Sequence, residues 1–146
     1  MASYVTSDTQ RTTQMSSSEW VKLGLVTAIV SIVAVLALQA LAIAQWPEIA
    51  LFAPLDSYAR SALFTFVPVV IATFLLAWLV GRQPQRAIQR FITISVIILL
   101  ISFIPDYILP VPNKTVLAST VAAFLHVVAA LITVFMLVTG YQRHVR

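Results

Sequence analysis

The chain has 146 residues, of which 60% are hydrophobic and 10% are charged, and its formal net charge is +4. A soluble domain usually carries about 25% charged residues, so this composition favours a membrane protein. The absence of cysteine excludes disulfide bonds, thiolate catalysis, iron–sulfur clusters and cysteine-ligated zinc. The basic residues lie mostly beside apolar stretches, where they are typical of topology signals rather than of nucleic-acid binding.

The N-terminal residues 1–19 are polar and rich in Ser, Thr and Gln. They show no apolar periodicity, so we expect a disordered tail. A first membrane span is predicted over residues 21–44. Ala42 and Ala44 resemble a signal-peptide cleavage site, but the apolar run exceeds the roughly 7–15 residues of a signal-peptide core. We therefore expect this segment to be retained as a membrane helix.

Two further spans are predicted over residues 62–80 and 87–104, joined by a short basic turn. Pro68 lies inside the first of these spans and predicts a kink, because proline removes one backbone hydrogen-bond donor. The arginines of the turn serve as orientation signals and as candidate ligands of anionic lipid headgroups. They are Arg82, Arg86 and Arg90.

The fourth span is predicted over residues 116–138, which contain no Asp, Glu, Lys or Arg and exceed the roughly 20 apolar residues that a crossing needs. The proline-rich loop 105–114 before it should stop the preceding helix at its first proline. A basic tail follows at residues 141–146. One face of the span carries small residues at helical spacing, which allow another helix to approach closely. This helix-packing seam consists of Ala118, Ala122 and Ala130.

The distribution of basic residues predicts the topology. Seven of the nine Lys and Arg side chains flank one side of the predicted membrane, and two (Arg60 and Lys114) flank the other. Because cytoplasmic loops carry the excess of Lys and Arg, both termini should be cytoplasmic. We therefore predict an all-α polytopic fold, with four transmembrane helices in an antiparallel bundle over residues 20–140.

His126 is the one ionisable side chain within the fourth span. At about 1.5 Å per residue, Ser95 and Thr73 fall near its depth, and Gln39 lies between that layer and the external surface. These four residues form a candidate intramembrane polar site, either proton-responsive or purely structural. A structural histidine would be neutral and hydrogen-bonded to its neighbours, each bond contributing about 0.6 kcal/mol. We favour the structural role, because no intramembrane carboxylate is predicted beside His126.

Asp106 and Ser102 are candidate polar residues of the external face. They share a helical stripe with Ser95, so a polar path from the surface to His126 can be drawn. A carboxylate at a helix end, either solvated or capping the loop, also explains Asp106, and this interpretation is favoured. His144 lies roughly 27 Å along a helix from His126, so the two histidines cannot share a metal ion. A haem between two copies of His126 in a dimer is disfavoured, and no metal or other cofactor is predicted.

A Pro-Asp pair after the third span and an AxxxHxxAA pattern in the fourth are the most distinctive motifs, at Pro105, Asp106, Ala122, His126, Ala129 and Ala130. Together with four short spans, they resemble a bacterial family of small four-helix integral membrane proteins classed only as a domain of unknown function. The resemblance covers about residues 20–140. It implies a multi-pass protein of the bacterial cytoplasmic (inner) membrane, and it implies no activity.

Three functions are compatible with the sequence. The leading hypothesis is a non-enzymatic accessory or assembly subunit, because polar groups are few and the helix-packing seam offers a contact surface. The first alternative is a small transporter or proton-responsive permeation unit centred on His126. The second is a protein that binds an apolar ligand, such as a lipid or quinone, beneath the proline-rich loop. Expected partners are the lipid bilayer and either other membrane subunits or a second copy of the chain, with no nucleic acid.

Overall fold

The computed structural model describes residues 15–145, and within this range the chain forms helices and no strands. The helices are α1 (Ser17–Gln45), α2 (Tyr58–Arg82), α3 (Ala87–Ile108) and α4 (Val116–Val145), with 3-10 turns at Pro47–Leu51 and Pro84–Arg86. All four α-helices are long and apolar enough to cross a membrane. The prediction of an all-α chain with four helices of membrane-spanning length and composition is confirmed for the described residues, and each predicted span lies inside one of these helices.

Helix α1 begins at Ser17, inside the segment predicted to be a disordered tail. Ser16 caps the helix: its hydroxyl accepts from the backbone N–H of Glu19 at 3.4 Å, while the Glu19 carboxylate accepts from the backbone N–H of Ser16 at 2.7 Å. This capping box satisfies two N–H groups that a helix start leaves unpaired. The predicted tail is therefore helical from Ser17 onward, and residues 1–14 lie outside the described part of the chain.

Helix α3 continues through Pro105, where the sequence predicted its end. The backbone N–H of Leu109 donates to the Pro105 carbonyl at 3.2 Å, so one more turn follows the proline. The helix ends at Ile108 because Leu109 precedes Pro110, and a residue before proline disfavours the helical conformation. Leu109 is accordingly extended, with ψ of 132°. This additional turn carries Asp106.

The start of α1 and the end of α4 lie together, and we name this the termini end of the bundle. The ring of Trp20 stacks on that of Tyr141 with centroids 5.8 Å apart, and a carboxylate oxygen of Glu19 lies 3.5 Å from Nδ1 of His144. Residues 141–145, predicted as a tail, belong to α4. Arg146 is outside the described residues.

The loop after α1 and the loop after α3 meet at the opposite end, which we name the loop end. There the side-chain amide of Asn113 donates to the Leu51 carbonyl at 3.1 Å, joining the loop after α3 to the loop after α1. Asn113 has a positive φ of 57°, a left-handed conformation that asparagine tolerates better than most residues. The proline-rich loop is thereby fixed against the 3-10 turn of the first loop.

The buried core consists of two clusters, one at each end. The loop-end cluster contains Val35, Ile49, Phe52, Leu55, Ala118, Ala122 and Leu125. The termini-end cluster contains Leu76, Leu79, Val80, Ala87, Phe91, Leu137 and Tyr141. Helix α3 packs against α2 and α4 and leaves most of its apolar surface outside both clusters. Its outward side chains suit contact with lipid tails, which are as apolar as leucine.

The helix-packing seam lies largely inside the chain. Ala118 and Ala122 are buried against Val35 of α1 and against Phe52 of the first loop, which their small side chains allow to come close. Ala130 is half-buried and faces the cavity described below. The seam therefore forms contacts within this protein and does not present an outward surface.

Candidate functional site

A cavity of about 740 Å³ lies between α2, α3 and α4 beneath the loop end. Helices α2 and α3 share the termini-end cluster, and toward the loop end both line the cavity. Its walls are mostly hydrocarbon. The apolar lining side chains include Phe64, Pro68, Val69, Ile71, Ala72 and Leu75 of α2, Ile98, Leu99 and Pro105 of α3, and Leu125, Ala129, Ala130 and Val134 of α4.

The cavity opens sideways between α2 and α3. Three residues that line it are also on the protein surface: Phe64 is 66% exposed, Ile71 58% and Ile98 52%. The first two belong to α2 and the third to α3. In a bilayer this opening faces lipid hydrocarbon, so an apolar molecule can enter from the membrane.

The polar end of the cavity is formed by Asp106 of α3 and His126 of α4. Nε2 of His126 lies 3.3 Å from Oδ2 of Asp106, and both residues line the cavity. In a helix each Cα–Cβ bond leans toward the N-terminus. Asp106, near the end of α3, therefore leans back into the bundle, and His126 leans toward the start of α4, so the two side chains converge.

The turn that carries Asp106 is fastened to its surroundings through backbone carbonyls. The hydroxyl of Ser119 on α4 donates to the Asp106 carbonyl at 2.6 Å. The Lys114 ammonium donates to the carbonyls of Tyr107 and Leu109 at 3.1 and 3.0 Å. These bonds satisfy carbonyl groups that a helix end leaves without an intrahelical donor. They hold the Asp106 carboxylate at a fixed position beside α4.

The Asp106 carboxylate is buried and incompletely satisfied. The residue is 4% exposed, and within the described residues Oδ2 has no hydrogen bond, although His126 lies at ion-pair distance. The contact does not meet hydrogen-bond geometry, and it is an ion pair only when His126 is protonated. A buried polar atom without a hydrogen-bond donor costs about 1–3 kcal/mol. Oδ2 itself has almost no accessible surface, so a further donor can reach it only when the surrounding side chains shift.

The hydroxyl groups around the cavity are mostly committed to their own helices. Thr65 donates to the Ser61 carbonyl at 2.8 Å and Thr133 to the Ala129 carbonyl at 2.7 Å. Ser102 donates to a carbonyl of its own helix at 2.7 Å. Such back-bonded hydroxyls contribute little polarity to a ligand site. The Asp106–His126 pair is thus the main polar feature that the cavity offers.

The structure separates the four residues of the candidate intramembrane polar site. Ser95 lines the same cavity as His126, but Thr73 does not. Thr73 donates to the Val69 carbonyl at 2.8 Å and packs against Gly24 of α1, where an added Cβ would lie 2.9 Å from its side chain. Thr73 therefore belongs to the α1–α2 contact.

Gln39 is also buried away from the pair. Its side-chain nitrogen donates to the Leu55 carbonyl at 3.0 Å, which fixes the first loop onto α1. Its side-chain oxygen has no hydrogen-bond partner among the described residues. Gln39 is not among the residues that line the cavity.

Two interpretations of the sequence need correction at this site. Asp106, interpreted as a carboxylate at a helix end that is solvated or caps the loop, is buried. His126, interpreted as lacking an intramembrane carboxylate, has one 3.3 Å away. Residue counts along a helix give the depth of each Cα atom. They do not include the length and direction of the side chain, or the extra turn of α3 beyond Pro105. The stripe of Ser95, Ser102 and Asp106 was the signal that Asp106 faces inward, and all three line the cavity.

The candidate headgroup residues lie at the termini end, far from the pair. Arg82, Arg86 and Arg90 are exposed, and the Arg82 guanidinium lies 5.4 Å from the centre of the Trp78 ring, a cation–π distance. Their role in orientation or headgroup binding stays a prediction. Within residues 15–145 no three His, Asp or Glu side chains come close enough to hold a metal ion.

No protein-family model, curated protein or solved structure matches this chain. The resemblance to a bacterial membrane-protein family therefore stays a prediction.

Proposed function

We propose that this multi-pass membrane protein binds an apolar ligand taken from the bilayer into the cavity between α2, α3 and α4. One observation carries the proposal: an apolar cavity that opens toward lipid ends at a buried carboxylate without a hydrogen-bond donor. Its volume, about 740 Å³, lies within the roughly 300–1,000 Å³ typical of ligand sites, and such sites combine apolar walls with a few convergent polar groups. The Asp106–His126 pair supplies those groups.

We further propose an antiparallel bundle with both termini in the cytoplasm and a location in a bacterial inner membrane. Contacts at the termini end and at the loop end, Trp20 with Tyr141 and Asn113 with Leu51, support an up-and-down arrangement. The excess of Lys and Arg at the termini end supports the orientation. In this arrangement the Asp106–His126 pair lies in the external half of the membrane.

The termini-end cluster favours ligand binding over permeation. Beneath the cavity, Leu76, Phe91 and Leu137 are fully buried and pack with the other members of that cluster. A path for protons or polar solutes would need polar side chains or water through this layer. The apolar packing instead closes the cavity on the cytoplasmic side, so the pair has access from one side.

The accessory-subunit hypothesis loses its main support, because Ala118 and Ala122 pack inside the chain. A partner would have to use the exposed face of α3, for which nothing distinguishes protein from lipid. We retain the proposal that the chain is not an enzyme, since binding requires only the groups already described.

The direct test is the lipid content of the purified protein. The wild type, an Ala130→Phe variant and an Ala40→Phe variant would be purified in mild detergent and their lipids identified by mass spectrometry. Ala130 lines the cavity and belongs to neither core cluster, whereas Ala40 is exposed on α1. We expect a stoichiometric ligand in the wild type and in Ala40→Phe, and its loss in Ala130→Phe. Equal retention in all three would contradict the proposal.

A further inference from the structure

The polar end of the cavity selects among head groups by hydrogen bonding. Asp106 lines the cavity, and its Oδ2, which is occluded, has no hydrogen-bond donor among the described residues. The His126 ring lies beside it, with Nε2 at 3.3 Å. A hydroxyl group is both a donor and an acceptor. Placed beside the pair, it can donate to the carboxylate while accepting from the imidazole N–H. A ketone or an ester can only accept, and it leaves the carboxylate unsatisfied.

An anionic head group is disfavoured by the same groups. A fatty acid or phospholipid would bring its negative charge against the Asp106 carboxylate in an apolar environment, where burying an unpaired charge is costly. Among the described residues that line the cavity, Arg60 is the one permanent cation. Its guanidinium already pairs with Asp56 at 2.8 Å and donates to the Ala53 carbonyl. The cavity therefore offers no uncommitted guanidinium to an anion.

The apolar walls of the cavity determine what kind of chain the ligand carries behind its head group. From Asp106 the cavity extends along α2 and α4 past Pro68 and Ala130 to Leu75 and Val134, without another titratable side chain in that direction. The lateral opening between α2 and α3 exposes this apolar part to the bilayer. A hydrocarbon or isoprenoid chain fits these walls, and it can remain partly in the membrane while the head group reaches the pair.

We infer that the ligand is a neutral lipid with a hydroxyl head group, that is, a long-chain alcohol or phenol, bound with its hydroxyl at Asp106 and His126. The inference rests on the proposed function and names the ligand class of that same site. It excludes free fatty acids and phospholipids as the specific occupant.

Photo-crosslinking of the full chain in phosphatidylcholine nanodiscs tests the inference. Three probes would share one long chain with a diazirine and differ only in the head: a primary alcohol, a carboxylic acid and a methyl ester. Labelled peptides would be mapped by mass spectrometry and competed with the unlabelled alcohol. We expect the alcohol to label the cavity segments of α2 and α4 roughly tenfold more than either other probe, the factor that a hydrogen bond to a charged group provides.

One variant and its matched control test whether Asp106 causes the preference for the alcohol probe. Asp106→Asn should reduce labelling by the alcohol roughly tenfold, because a neutral amide oxygen is a weaker acceptor than a carboxylate. Glu48→Gln makes the same chemical change at an exposed loop-end position and should leave labelling unchanged. If Asp106→Asn fails to fold, the comparison of the three probes on the wild type still decides.

The outcomes separate the inference from the proposed function. If the acid or the ester labels the cavity as well as the alcohol does, the hydroxyl inference fails while ligand binding stands. The same holds if Asp106→Asn labels like the wild type. If no probe labels the cavity above the level seen with Ala130→Phe, both the inference and the proposed function fail.

Discussion

The Asp106–His126 pair predicts an unusual order of stabilities among its variants. His126→Ala removes the imidazole that lies 3.3 Å from Asp106 and leaves the buried carboxylate without that polar neighbour. Asp106→Asn replaces the carboxylate by a neutral amide of the same shape, which removes the burial cost. The double variant lacks both the charge and its partner. We therefore expect His126→Ala to be the least stable of the three proteins, and the double variant to be more stable than His126→Ala.

The expected loss in the free energy of unfolding depends on how deeply each of the two side chains is buried. Removing one partner of a fully buried pair costs about 3–5 kcal/mol. Here the His126 side chain is 41% exposed and the contact lacks hydrogen-bond geometry, so we expect a loss of about 1–3 kcal/mol in the free energy of unfolding. In the Asp106→Asn background the same histidine truncation should cost less than about 1 kcal/mol, because no buried charge remains.

Reversible unfolding in detergent, followed by circular dichroism, would measure these differences. His144→Ala serves as the matched control, because His144 lies 3.5 Å from Glu19 in an exposed pair and should change stability by less than about 1 kcal/mol. If the two pair substitutions have additive effects, the carboxylate and the imidazole are not coupled. That result would refute the interpretation of the pair as one unit.

Three further predictions concern the packing that positions the cavity. Ala118→Leu should lower the free energy of unfolding by about 1–3 kcal/mol, because the residue is buried in the loop-end cluster, does not line the cavity, and added bulk strains a filled core. Thermal unfolding that matches the wild type would contradict this packing. Gly24→Ala should lower the unfolding temperature, since the added Cβ would lie 2.9 Å from the Thr73 side chain. Gly81→Ala is the matched control: its Cβ meets nothing within 4 Å, so it should stabilise α2 by up to about 1 kcal/mol through helix propensity. Ser16→Ala should cost about 1 kcal/mol and increase hydrogen exchange in the first turn of α1, and unchanged exchange there would exclude a role for the capping box.

The four helices could be predicted from the sequence because each apolar run is longer than a membrane crossing requires. The predicted spans all lie inside observed helices, whose ends extend further. Those extensions depend on local chemistry that hydropathy does not detect. The capping box at Ser16 and Glu19 begins α1 earlier, and the helix that continues through Pro105 ends only before Pro110.

The candidate site was less accessible to sequence reasoning. The sequence identifies His126 as the central ionisable group of the fourth span, but the proline-rich loop beside Asp106 predicts a surface position for that carboxylate. Residue counts along each helix axis give Thr73 the same depth as His126. Such counts do not show that the Thr73 side chain faces α1. Depth follows from the sequence, whereas the rotation of each helix about its own axis depends on packing between distant segments.

The most direct test of the ligand-binding account is an experimental structure of the protein purified from its native membrane. The account predicts elongated density between α2 and α3, lying along the cavity and ending within hydrogen-bond distance of Asp106. A structure in which α2 and α3 close onto each other and leave no cavity would contradict it, and so would a water-filled cavity that contains no lipid.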